Sequence, residues 1–337
     1  MERLSNPCSK KQIRIKAEHM SNPLEPHSTR IFLTGFIMGM ADLVPGISGG
    51  TVALLGGIYA RLLGAISAFN LSSLKMLLTG RWLQLWQQVD GRFLLTLLLG
   101  IASAIFGVAK ILHYLLDHYP IIMWSLFLGL VFTAGIMLLR TLYKEQCLVF
   151  GYVLLGFLIS GLLAQLPMHS GWDVVSGWGY LALFAAGAIA ICAMILPGVS
   201  GSFILLLLGF YPLIIASLAS INIPVLAVFA LGCVIGLMSF SRLLNWLLRH
   251  YLGATMSALT GLMLGSAIKL WPWKYTLAYR LSSSGEQVPL VQENLWPWNY
   301  SALTGIAHEL PIALIVMLIA AVLVIRFGQF KLQGLGQ

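Results

Sequence analysis

Residues 41–59, "ADLVPGISGGTVALLGGIY", and residues 195–211, "ILPGVSGSFILLLLGFY", decide the fold. Each sets a proline, glycines and serine inside a strongly apolar run. The two align at an offset of 152 residues, pairing Pro45 with Pro197, Gly46 with Gly198, Ser48 with Ser200, Gly49 with Gly201, Gly57 with Gly209 and Tyr59 with Tyr211. A second block, "KILHYLLDHYPIIMWSLFLG" from Lys110, aligns with "RLLNWLLRHYLGATMSALTG" from Arg242 at an offset of 132. The chain is therefore an internal repeat. The difference of 20 between the offsets puts an insertion in the first half, at residues 70–91, where Leu and Trp alternate with Lys75 and Arg81. That is the pattern of a helix lying along a membrane surface.

Outside these motifs the chain is 59% hydrophobic and 9% charged, with a mean hydropathy of +0.89, whereas a soluble domain carries roughly 25% charged residues. Apolar segments near 92–115, 120–141, 147–166, 223–248, 252–271 and 308–327 are each about long enough to cross a bilayer core of ~30 Å as helices. Residues 1–30 are polar and basic, unlike a cleaved signal peptide, and read as a cytosolic tail. Cys8, Cys147, Cys192 and Cys233 have neither metal-ligand nor redox spacing. The net charge of +9 does not point to nucleic acid, because Lys and Arg gather in short connections between apolar segments, which is how membrane orientation is encoded.

Residues 31–44 would make a helix of about 21 Å, short of a full crossing, and are better read as one arm of a hairpin. With residues 31–68 entering and leaving by the cytosolic face, and residues 179–219 doing so from the opposite face, six spanning segments remain. Lys75, Arg81, Arg92, Arg140, Lys144, Arg242, Arg249, Arg326 and Lys331 then lie inside, and Lys110, Lys269, Lys274 and Arg280 towards the outside, as the positive-inside rule requires. Hairpin arms that crossed fully would give the same sidedness, so length alone argues for re-entry. The expected fold is an all-α polytopic membrane protein of two inverted-topology repeats, each a re-entrant helical hairpin plus three transmembrane helices. The first repeat covers 31–166 and the second 179–327, with an outer loop at 272–307 and a cytosolic tail at 328–337.

A Pro-Gly break at membrane depth survives only where it is buried in protein or lines a cavity. Proline ends one half-helix, and the next begins with free N–H groups and a positive dipole end, an anion site. The candidate substrate-binding residues are Pro45, Gly46, Ser48, Gly49, Gly50 and Thr51 in one motif and Pro197, Gly198, Ser200, Gly201 and Ser202 in the other. Small residues also permit close helix packing, but broken helices in corresponding positions point to a transport site. Asp42, whose counterpart is Met194, is a candidate proton or sodium site or a partner for Arg61. Tyr59, Tyr211, Arg61, Lys110 and Arg242 are pathway or coupling candidates. His113, His118, His250 and His308 show no metal-like clustering, and no metal or enzymatic cofactor is implied; a coupling proton or sodium ion is the expected co-substrate.

"GMADLVPGISGGTVALLGGIY" together with "AICAMILPGVSGSFILLLLGFY" resembles the bacterial polyprenyl-phosphate transporter family, formerly a domain of unknown function, over approximately residues 30–330. The resemblance implies translocation of undecaprenyl phosphate, the lipid carrier of cell-envelope synthesis, from the outer to the cytosolic leaflet. It also implies a multi-pass protein of the bacterial cytoplasmic membrane with both termini cytosolic, whose partners are the polyprenyl-phosphate lipid and the bilayer. It carries roles onto Asp42, Pro45, Gly46, Ser48, Gly49, Gly50, Thr51, Pro197, Gly198, Ser200, Gly201 and Ser202. Family members often have an acidic residue after the hairpin tyrosine, where this chain has Ala60 and Pro212. Two alternatives stand beside this reading: an ion-coupled transporter of a small soluble anion, and a rhomboid-like intramembrane protease using Ser48 or Ser200 with His308. A protease needs one nucleophile, and the motif occurs twice. Oligomeric state has no signature in the sequence.

Overall fold

A helix that is apolar all round has no water-facing side and must be covered by protein or lipid. The computed structural model, which describes residues 28–43, 48–69, 73, 75–76, 79–144, 148–165, 177–281 and 287–332, is built mainly of such helices. The first half contains α1 (Ser28–Asp42), α2 (Gly49–Gly56), α3 (Tyr59–Ser67), α4 (Trp82–Gln88), α5 (Gly91–His118), α6 (Pro120–Lys144) and α7 (Phe150–Gln165). The second contains α8 (Gly177–Ile195), α9 (Gly201–Leu207), α10 (Tyr211–Ala219), α11 (Ile223–His250), α12 (Leu252–Ser266) with a 3₁₀ turn (Ala267–Leu270), α13 (Pro297–Thr304) and α14 (Leu310–Leu332).

Gly91–Val108, Pro120–Lys144, Trp178–Ile195 and Ile223–His250 are each long and apolar enough to cross a bilayer, so this is a multi-pass membrane protein. Phe150–Leu163 and Leu310–Arg326 are apolar but shorter. The helix pairs α2–α3 and α9–α10 bend by 114° and 111°. Both bends turn on a glycine in the left-handed region, Gly57 at φ 64° and Gly209 at φ 77°, a conformation that costs other residues a Cβ clash. Gly57 donates its amide to Ala53 and Leu54 carbonyls, closing α2.

α1 packs along α5 and α8 along α11; α7 packs on α12 and α14 on α6, while α6 and α12 also meet. Glycines bring the backbones together, as is usual without a hydrophobic drive between helices in lipid. A Cβ added at Gly100 of α5 would land on the Phe32 carbonyl of α1, and one at Gly232 of α11 on the Phe184 carbonyl of α8. Phe93, Leu63, Leu97, Leu183 and Met263 are fully buried between helices. Large apolar side chains stay uncovered on the outer helix faces, Phe106 of α5 being 89% exposed, which suits contact with lipid tails.

Three expectations need correction or lie outside what is described. The chain is not all-α: β1 (Lys274–Leu281) and β2 (Gln287–Asn294) pair antiparallel, from Lys274 opposite Asn294 to Leu281 opposite Gln287. "KYTLAYRL" and "QVPLVQEN" are rich in Tyr, Thr and Val, residues that fit a pleated surface; average hydropathy had hidden this in a loop. Trp273 and Tyr300, buried against Ile121 and Ala313, fasten the segment to the ends of α6 and α14. The first arm of the second hairpin, α8, has 19 residues against 15 for α1, so shortness marks only the first. Residues 1–27 lie outside the described residues, and α14 runs to Leu332. In the insertion, α4 presents Trp82, Leu83 and Trp86 outward.

Candidate functional site

The first motif is held shut by its own oxygens. α1 ends on Asp42, whose Oδ1 accepts the Gly49 amide at 2.7 Å. Ser48, extended at φ −120°, ψ 134°, caps α2 by accepting the Gly50 amide on its Oγ at 3.1 Å. A carboxylate at a helix N-terminus is favoured by the dipole, and a hydrogen bond to a charged group contributes roughly 1.5–3 kcal/mol. Asp42 therefore occupies the position an anionic ligand would take.

The same motif is wedged against the second. Ser48 Oγ donates to the Met194 carbonyl at 2.8 Å, Tyr59 Oη donates to the Ile195 carbonyl at 3.2 Å, and Thr51 Oγ1 accepts the Gly198 amide at 3.0 Å. Ser48, Thr51 and Tyr59 are 1%, 2% and 3% exposed. A Cβ at Gly50 would land on the Ile195 carbonyl, so the glycine permits the approach. The broken stretches of the two halves thus meet in the interior, side chains of the first satisfying backbone groups of the second.

The second motif is open. Pro197 is fully buried, and Gly198 turns at φ 82° where a Cβ would fall 2.7 Å from the Met263 Cα. Met194 stands where Asp42 stands in the first motif and brings no carboxylate. Ser200 precedes α9 without a side-chain capping bond, and its Oγ lies 3.0 Å from Ser202 Oγ. A small cleft opens beside it, lined by Ser160, Gly198, Ser200, Phe203, Ser266 and Lys269 among others. Lys269 Nζ is buried with no hydrogen-bond partner among the described residues and lies against the Phe203 ring. On β1, Lys274 Nζ sits 3.5 Å from the Trp124 ring centroid, and burial pushes its amine down to about 7. Hydroxyls and an ammonium converging on a cleft are suited to hold an oxyanion.

The remaining candidates are dispersed. Pro45 and Gly46 lie outside the described residues. Gly201 faces the Ala190 carbonyl, 2.6 Å from where a Cβ would stand. Arg61 does not pair with Asp42: its Nε and Nη2 meet Asp90 at 2.6 and 3.2 Å, and its guanidinium lies over Phe93. Asp90 stands immediately before α5. Arg242 donates to the Phe69 carbonyl at 2.5 Å and Asn245 to Ser67 at 3.1 Å, tying α11 to the end of α3. Lys110 is exposed on α5, and Tyr211 is half-buried at the start of α10. Lys269, Phe203, Ser160 and Ser266 escaped the sequence reading, which treated Lys269 as an orienting charge. The available signal was an ionisable residue within an apolar segment, which marks function by default. No group of three His, Cys, Asp or Glu able to hold a metal occurs among the described residues.

Comparison with known proteins gives the family. The profile of the VCA0040-like family, described as undecaprenyl phosphate translocase-like, matches residues 38–288. A Vibrio cholerae protein named polyprenyl-phosphate transporter is 43% identical over 300 residues, covering 89% of this chain and 96% of its own. A Staphylococcus aureus protein of the same name is 29% identical over 253 residues, covering 71% and 85%. No solved structure matches significantly. With two broken motifs meeting inside a multi-pass helical body and a family profile spanning both, the chain belongs to the undecaprenyl phosphate translocase-like family.

Proposed function

We propose that this protein carries undecaprenyl phosphate across the bacterial cytoplasmic membrane, from the outer to the cytosolic leaflet, returning the lipid carrier for cell-envelope synthesis. The observation that carries the reading is the unequal pair of motifs: one sealed by Asp42, the other open on a cleft with hydroxyls and a buried ammonium. A headgroup bound in the cleft keeps its polyprenyl tail in lipid through a lateral opening. The names of the relatives support a polyprenyl-phosphate substrate, and the hydroxyls and amine of the cleft suit a phosphate.

The architecture we propose is two inverted-topology repeats, 31–166 and 179–327, with hairpins 31–68 and 179–219 re-entrant from opposite faces and both termini cytosolic. Support comes from matched packing. Phe32 and Phe184 are related by the offset of 152, Gly100 and Gly232 by 132, and the two glycine-to-carbonyl approaches are the same. The connection between α3 and α5 covers residues 68–90, against 220–222 between α10 and α11, which accounts for the difference of 20. Transport is by alternating access, one repeat rocking against the other about the crossing of the motifs. For phosphate to use the Gly49 amide, Asp42 must vacate it. A proton that neutralises Asp42 weakens its hold on that amide, which makes the proton the coupling ion of this scheme.

The test is reconstitution in liposomes with labelled polyprenyl phosphate, following access of an impermeant reagent to the phosphate. Wild-type protein is expected to exchange the lipid far faster than empty vesicles, and the double variant Ser200→Ala with Ser202→Ala at least several-fold more slowly. Exchange no faster than in empty vesicles, with or without an ion gradient, overturns the proposal; uptake of soluble phosphate in its place points to a small-anion transporter.

A further inference from the structure

We propose that Lys269 is the cation that receives the phosphate monoester, and that the cleft between α7, the end of α12 and the second motif is the phosphate pocket on the outer-leaflet side. This rests on the transport reading above and adds to it a residue and a place.

An unpaired buried ammonium costs several kcal/mol unless a partner compensates it, and a lysine near a membrane face ordinarily extends its amine to water. Lys269 does neither. Its Nζ is sealed from solvent and without a hydrogen-bond partner among the described residues, while the ion pair found there, Arg61–Asp90, belongs to the other hairpin. The groups around it are the Phe203 ring and the hydroxyl-bearing wall of the cleft, Ser160, Ser200 and Ser266. An aromatic face compensates an ammonium only in part. Hydroxyls are neutral donors that turn to suit a ligand. The ligand completing this set is small, doubly negative and rich in acceptor oxygens, which describes a phosphate monoester at neutral pH.

The assignment is directional. In the proposed topology Lys269 and Lys274 follow α12 on the outer side, and position 137, which aligns with Lys269 at the offset of 132, is methionine. The first half thus carries Asp42 at its tip and no lysine at this place; the second carries Lys269 and Met194. An anion is drawn to the outer cleft and repelled at the inner tip until Asp42 is neutralised.

The experiment uses full-length protein in detergent and, in parallel, in liposomes. Thermal unfolding is followed with farnesyl phosphate, with inorganic phosphate and without ligand. For wild type, farnesyl phosphate is expected to raise Tm. Lys269→Met should raise the ligand-free Tm by removing an uncompensated charge, lose the ligand-induced rise, and slow lipid exchange at least tenfold; Lys269→Arg should keep part of both. A Lys269-dependent rise with inorganic phosphate as well assigns recognition to the phosphate group alone; a rise with the lipid only assigns part of it to the tail. Both support the pocket. If Lys269→Met, or Lys269→Gln should the former not fold, keeps the wild-type ligand shift and exchange rate, the assignment is wrong while transport stands. If wild type itself shows neither exchange nor a ligand shift, the transport reading falls with it.

Discussion

At the residue scale, the motif pattern marks the stretches that meet in the interior but not which way each group faces. Ser48 and Thr51 stand out in the sequence as hydroxyls beside a helix break, and so do Ser200 and Ser202. Only the tertiary meeting of the motifs turns the first pair onto Met194 and Gly198 and leaves the second pair on a cleft. The difference was visible as one letter, Asp42 against Met194, yet its consequence depends on a bond to Gly49 across the hairpin tip. Asp42→Asn keeps an acceptor oxygen for that amide and removes the titratable charge. It is expected to leave the protein folded and to abolish the response of lipid exchange to an imposed proton gradient. An unchanged gradient response in reconstituted vesicles would exclude Asp42 as the coupling site.

At the element scale, helix positions were legible because a long apolar run admits few other structures in a membrane. Which helix packs on which was not, since a uniformly apolar helix gives no amphipathic stripe to orient it. The glycines carry that information. Gly100 and Gly232 sit where neighbouring backbones touch, whereas Gly107 on the same helix as Gly100 meets nothing within 4 Å. Gly100→Val and Gly232→Val should each destabilise the protein by roughly 1–3 kcal/mol through overpacking. Gly107→Ala should be neutral or stabilise by up to about 1 kcal/mol through helix propensity. Thermal unfolding of the three variants in one detergent checks this, and equal losses at all three positions would rule out the close approaches. The β1–β2 hairpin shows the opposite failure: its alternation was present in the sequence, but a reading tuned to membrane-length runs passes over strands of eight residues.

At the scale of the whole molecule, one contact agrees with the topology proposed from the charges. Counting Lys and Arg places Arg242 and the end of the first hairpin on the same face, and Arg242 is bonded to Phe69. The same count places Lys269 and Lys274 on the other face, beside the second motif. The central claim is that two hairpins entering from opposite faces meet at mid-membrane to form one phosphate path. Its most direct test is sided labelling of single cysteines at Thr79, after the first hairpin, and Ser220, after the second, both exposed, in a chain whose four native cysteines are replaced. With an impermeant maleimide added to intact cells, Ser220→Cys is expected to be labelled, and Thr79→Cys only after permeabilisation. Labelling of both from the same side would contradict the inverted arrangement and with it the path.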